Sequence, residues 1–405
     1  MTEDHRPHTG GARFRDVLAD GQFRALWAAQ LLSVLGDQVA RVALAILVFT
    51  ETGSAGLTAL TYALTFLPDL VAGPLLSGIA DRAPRRLTMV VSDLLRAGVL
   101  ALMAVPGMPF PVLCGLVVAG QLLAAPFAAA RAAILPHVLT GERYVVASAV
   151  SGTTYQSGQV LGFALGGPLV ALVGVPVALL ADAATFVVSA LILQLGVAEQ
   201  RAAGAVPDAG TRLRDGARIV AGDRRLRSLV ALACVSAFVV TIEGLAAPYA
   251  AALGGGPVSV GLLLAANPLG AALGIVLLAR LVPPARRQRL LGPLAVLSCV
   301  PLVASALDPP LAGVIGLWVL SGLACAYQVP ANAAFVAAVP DAHRGQAFGL
   351  AVTALRVTQG IGVLVAGLLA ERTGPATAVA LAGALGVVVA VLCAVAWTRA
   401  RSAEA

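Results

Sequence analysis

The chain has 405 residues, 59% of them hydrophobic and 12% charged, and its mean hydropathy of +0.92 lies far outside the soluble range. A net charge of +7 would suggest a nucleic-acid partner in a soluble protein. Here every positive residue is an arginine, and the arginines alternate with apolar runs, so the positive-inside rule accounts for them and nucleic acid is not expected.

Residues 1–23 contain no short apolar region with a cleavage site and read as a cytoplasmic tail rather than a signal peptide. Apolar runs long enough to cross about 30 Å of hydrocarbon follow near 24–50, 54–80, 87–106, 110–135, 144–174 and 176–196. A polar, arginine-rich linker occupies 197–227, and within it 211–220 can form a short helix on the inner membrane face. Six more apolar runs lie near 228–252, 258–282, 290–307, 311–338, 345–370 and 375–398, before a tail at 399–405. The expected architecture is an all-α polytopic membrane protein of twelve spans, in two six-helix bundles at 24–196 and 228–398, with both termini cytoplasmic. The arginines fit this topology. Only Arg41, Arg96 and Arg356 fall within spans and only Arg372 on the outer side, whereas Arg131 and Arg143 are assigned to a cytoplasmic segment.

The halves repeat. A shift of 200 residues lays the fifth span on the eleventh without a gap, setting Thr153 on Thr353, Gln159 on Gln359, Gly162 on Gly362, Gly167 on Gly367 and Gly174 on Gly374. A shift of 203 sets Arg24 on Arg227 and Ser33 on Ser236.

Charge inside a bilayer is expensive and marks a pathway, a proton site or a specific pairing. The first span carries Gln30, Ser33, Asp37 and Arg41 on one helical face, with Asp37 and Arg41 able to pair within the helix. Asp37 and Glu243, the latter in the seventh span, are the leading proton-coupling candidates, because a desolvated carboxylate can exchange a proton when its access to water changes. Asp69, just after Pro68, is a third. Arg356 in the eleventh span can neutralise Asp37 or Glu243, or hold an anionic substrate group. Gln121, Tyr155, Gln159, Asn267, Gln328, Asn332 and Gln359 are candidate cavity residues; each could equally glue helices together. Asp93 and Arg96 in the third span are expected to brace the loop before it, and Asp182 to make a structural hydrogen bond. The five cysteines fall singly in separate spans, with no metal spacing. There is no phosphate-binding loop and no zinc pattern. No enzyme, metal or cofactor is expected, and the energy source is an ion gradient or the substrate's own.

Between the second and third spans stands Gly78-Ile79-Ala80-Asp81-Arg82-Ala83-Pro84-Arg85-Arg86. Its order resembles the loop between helices 2 and 3 of the major facilitator superfamily, with Pro84 where that family often has glycine. The resemblance implies two pseudo-symmetric six-helix bundles that rock about a central site, with Gly78, Asp81, Arg82, Arg85 and Arg86 linking helices 2 and 3 to the second half. The fifth span reads Gly158-x-x-x-Gly162-x-x-x-Gly166-Gly167-Pro168, similar to the glycine-rich signature of proton-coupled exporters in that superfamily, but with the proline one residue late and no closing glycine pair. Phe23-Arg24-x-Leu-Trp27-x-x-Gln30, Thr52-Gly53-Ser54 and Ala132-x-Ile134-Leu135-Pro136 resemble the bacterial branch of macrolide-efflux and siderophore-export permeases. That resemblance implies a monomeric carrier in the bacterial cytoplasmic membrane, exchanging protons for a small amphiphilic drug or secondary metabolite. A proton-coupled nutrient importer and a transporter-shaped sensor or lipid-handling protein stay open as alternatives.

Overall fold

The computed structural model describes residues 14–66, 83–200, 209–340 and 343–402, and among them every regular element is a helix. A short helix α1 (Phe14–Leu18) leads into α2 (Gly21–Thr52), which starts where Asp20 accepts a bond from the Phe23 amide at 2.9 Å and stops at Gly53, φ 65°. Helix α3 (Ala55–Ala63) begins the second span, which from residue 67 on, with Asp69, Gly78, Asp81 and Arg82, lies outside the described residues. Then come α4 (Arg85–Met103), α5 (Phe110–Val138) and α6 (Glu142–Gly196). Helix α6 is two spans in continuous succession, bent at Gly174, whose φ of 79° and ψ of 167° are not helical.

The linker forms α7 (Ala209–Gly222), longer than 211–220, and its Gly216 lies against the backbone of Gln346 and the side chain of Leu350. The linker helix is thus braced by protein, not only by a membrane surface. The seventh span is broken into α8 (Arg224–Cys234), α9 (Ser236–Val239) and α10 (Thr241–Ala252). Helix α11 (Pro257–Leu281) is followed by the one-turn α12 (Pro284–Arg287) and α13 (Leu291–Val303). The tenth span is broken into α14 (Leu311–Cys325) and α15 (Gln328–Ala338), at the turn whose Ala326 carbonyl Pro330 cannot bond. Helices α16 (Arg344–Thr373) and α17 (Pro375–Ser402) close the chain. Among the described residues, nine helices are long and apolar enough to cross a membrane, the bent α6 counting as one.

In lipid, apolar side chains gain little from meeting each other, so close packing of small residues holds helices together. The fifth-span glycines do this. A Cβ on Gly158 would stand 2.7 Å from Val34 Cγ1, on Gly162 2.7 Å from Gln38 Cβ, and on Gly166 2.9 Å from Val42 Cγ2. The face is therefore a seat for α2. Pro168 lies off it, exposed.

The repeat holds at residue level. Gly362 faces Ala237 in α9 as Gly162 faces α2, and Gly374 (φ 83°) turns the chain as Gly174 does. Gly167 meets Gly261 of α11, where a Cβ would stand 3.1 Å from the Gly261 Cα, while Gly367 meets Ala59 of α3. These last two contacts join the halves. Both lie toward the loops after α2 and α10, opposite the termini; that side is called the far face below. Toward the termini, the α6 residues Tyr144, Val145 and Tyr155 and the α16 residues Phe348 and Val352 are exposed. Among the described residues, the hydrogen bonds and glycine contacts between the halves lie at mid-depth or toward the far face, so the halves are joined there and open toward the termini.

Candidate functional site

At the blind end of the opening, charges from both halves meet. Tyr62 of α3 donates its hydroxyl hydrogen to the Glu243 carboxylate of α10. The Arg41 guanidinium of α2 stands 5.8 Å from the Tyr62 ring centroid, and that of Arg356 in α16 lies 5.5 Å from the Phe66 ring. Both guanidiniums act electrostatically on Glu243, and Tyr155 faces Arg41. Glu243, Arg41, Arg356 and Tyr155 were singled out in the sequence. Tyr62 and Phe66 were not, since an aromatic in an apolar run gives no signal.

Asp37 is elsewhere. Its carboxylate pairs with Arg96 of α4 at 2.7 Å, not with Arg41 within α2. The guanidinium of Arg96 is also 4.1 Å from the Phe186 ring. Asp93 accepts a 2.6 Å bond from Ser189, and Asp182 a 3.1 Å bond from Thr185. Among the described residues Asp93 and Arg96 tie α4 to α2 and α6, while most of the loop they were expected to brace lies outside the described residues. The reason is geometric: i, i+3 places both on the buried face of α4. Gly36 lets Asp182 approach, because a Cβ there would collide with its carboxylate. A cavity of about 50 Å³, lined by Asp37, Arg41, Thr65, Arg96 and Gln121, lies between this cluster and the central one. That is room for a few waters.

Of the loop arginines, Arg85 donates to the Ala133 carbonyl at 2.9 Å and Arg86 to Glu199 at 3.0 Å. Their described partners belong to α5, the end of α6 and the first residues of the linker, Glu199 and Gln200, and none of them is in the second half. Gly78, Asp81 and Arg82 lie outside the described residues.

The amides divide. Gln159 donates weakly to Tyr155 (3.4 Å), and Gln359 to Ser236 (3.2 Å). The side-chain nitrogen of Asn267 and the Ser33 hydroxyl are buried with no hydrogen-bond partner among the described residues. Gln328 and Asn332 line an apolar groove of about 290 Å³ with Leu229, Phe335, Phe348 and Leu355. Gln30 bonds the Ser151 carbonyl at 3.1 Å and accepts from Arg131. Arg131 is thus inside α5 and half-buried, not in a loop. Its position at the end of an apolar run disguised it.

The sequence profile of the Major Facilitator Superfamily matches residues 26–249 and again 229–405. The chain belongs to the major facilitator superfamily. Among solved structures it is similar to a bacterial homologue of the human lysosomal transporter Spinster in an inward-facing, occupied conformation, with TM-score 0.72 and 16% identity over 97% of this chain and 98% of that one. It is also similar to a POT family transporter in complex with 5-aminolevulinic acid (TM-score 0.72, 12% identity, 93% and 96% covered). A nucleoside transporter gives TM-score 0.66 at 15% identity, with 93% and 99% covered. No curated protein sequence matches. At such identities these likenesses establish the fold. The protein is an integral membrane transporter of this superfamily, not an enzyme.

Proposed function

We propose that this superfamily member is a proton-coupled exporter of a small amphiphile, resident in a bacterial cytoplasmic membrane with both termini inside. The observation that carries the reading is Glu243, bonded by Tyr62 across the junction of the halves with arginines from both halves beside it. An ionised Glu243 holds the far face shut, so an empty carrier does not slip. A substrate in the open cavity that draws Arg41 or Arg356 away loosens that hold, and the carrier opens outward. With the far face open, Glu243 takes up a proton; the neutral acid re-enters the dry junction without the desolvation cost of a carboxylate, and loss of the proton toward the termini restores the charge that holds the face shut. The groove beside Gln328 and Asn332 suits the apolar part of an amphiphile. Asp37, locked to Arg96, supports the α2–α4 packing and senses the central cluster through the small cavity.

The test is accumulation in pump-deficient cells of a panel of amphiphilic compounds, with and without a protonophore. Expression should lower accumulation of at least one compound, and the protonophore or Glu243→Gln should restore it. Asp37→Asn should weaken export less than Glu243→Gln. Raised accumulation would make the protein an importer and overturn the reading.

A further inference from the structure

Several buried or half-buried cations in this protein have a counter-charge, and others, Arg85 and Arg287, spend donors on backbone carbonyls. Arg96 has Asp37, Arg41 has the nearby Glu243, and Arg86 has Glu199. Arg131 differs. Its Nη2 donates to Gln30 and, at 3.0 Å, to the Ser151 hydroxyl, both neutral. Its Nε is buried with no partner, and its Nη1 makes no bond among the described residues yet does not count among the buried atoms. No carboxylate of the described residues lies within ion-pair distance of it. A guanidinium offers five donors in a fork shaped for carboxylate or phosphate. Two bonds to neutral groups need no charge, because a glutamine could make them. The charge is what requires explanation.

Position supplies it. Gln30 lies one face with Ser33, Asp37 and Arg41, and Ser151 stands one turn before the exposed Tyr155. Arg131 is therefore at the side of the opening, about 16 Å nearer the termini than Arg41, by the eleven-residue rise from Gln30 to Arg41. Trp27, bonded to Thr154 at 2.8 Å, stands one turn below it.

We infer that Arg131, oriented by Gln30 and Ser151, is an anion-binding residue and that the protein takes ligands bearing a carboxylate, sulfonate or phosphate. This rests on the carrier reading for its meaning, since an anion passed from Arg131 to Arg41 competes there with Glu243. It does not rest on that reading for its test.

The full chain in neutral-detergent micelles is titrated calorimetrically with octanoate, octanol and octylammonium, which share a tail and differ in charge. Trp27 emission and thermal unfolding are followed in parallel. Octanoate should bind saturably and perturb Trp27, and the other two should not. Arg131→Gln should weaken octanoate by roughly tenfold or more, as expected for loss of a charged hydrogen-bond donor, and Arg131→Lys by less. Gln30→Glu guards against a folding defect, because it supplies an internal counter-ion: it should raise the unfolding temperature and abolish octanoate binding. Added phosphatidylglycerol that competes with octanoate would support the site and name a lipid headgroup as its anion; absence of competition would support a soluble one. Equal binding of octanoate by wild type and Gln30→Glu, or preference for octylammonium, would overturn the inference. If octanoate binding follows these variants while export shows no proton dependence, the site stands and the coupling mechanism falls.

Discussion

Tyr62 illustrates how much a single hydroxyl carries. Its ring stays under Arg41 whether or not the oxygen is present, so Tyr62→Phe keeps the ring and removes the hydroxyl's bond to Glu243 and its polar contact with Arg41. A hydrogen bond to a charged group contributes about 1.5–3 kcal/mol, so proton-driven export in proteoliposomes should fall about tenfold or more. Substrate binding from the termini face should change little, because the groove beside Gln328 is untouched. Sequence reasoning reached the charged members of this site, because a charge in an apolar run stands out. It could not reach Tyr62 or Phe66, whose roles depend on a partner 181 residues away for the tyrosine. It also paired Asp37 with the wrong arginine. Spacing within a helix offers Arg41, while only the tertiary packing of α4 offers Arg96.

The helices themselves were far more legible. Apolar runs of membrane length predicted where the described spans lie, and Gly174 falls at the expected boundary between the fifth and sixth. The break at Ala326 is local, set by Pro330, whereas those at Val235 and Val240 have no proline one turn on and were less legible. The glycine face on α6 gives an element-level prediction. Gly162→Leu should destabilise the α2–α6 seam by about 1–3 kcal/mol through overpacking, and so lower the thermal midpoint in detergent. Gly152 faces open space, and Gly152→Ala should be neutral or stabilising by up to about 1 kcal/mol from helix propensity. If both substitutions destabilise equally, the seam is not held by glycine.

For the whole molecule, the described hydrogen bonds between the halves number few. Besides Tyr62 with Glu243, Gln156 donates to the Pro268 carbonyl at 3.1 Å. At the far face, Glu371 of α16 accepts from the Ser54 hydroxyl and, at 2.7 Å, from the Gly56 amide. Glu371 thereby lends its charge to the N-terminus of α3, a favourable site for a carboxylate. Glu371→Ala should lose about 1 kcal/mol and shift the population about fivefold toward the state open at the far face. Spin labels at Glu51 and Arg372 would report it as a longer distance; an unchanged distribution would show that Glu371 is not a latch. Nothing in the sequence marked Glu371, a lone acid at a helix end.

The meeting of Gly167 with Gly261 has a mechanical meaning. Within the first half, Val34 and Val42 sit in the α6 glycine notches like cogs, so those helices keep their register. Across the halves, bare backbone meets bare backbone, with the Gly261 amide and Cα facing Gly167 and no side chain projecting between them. Such a surface has no teeth. One half can roll on the other at that point as a journal turns in a plain bearing, while the described bonds that resist the motion sit at Gln156, Tyr62 with Glu243, and Glu371, the last two where charge can switch them.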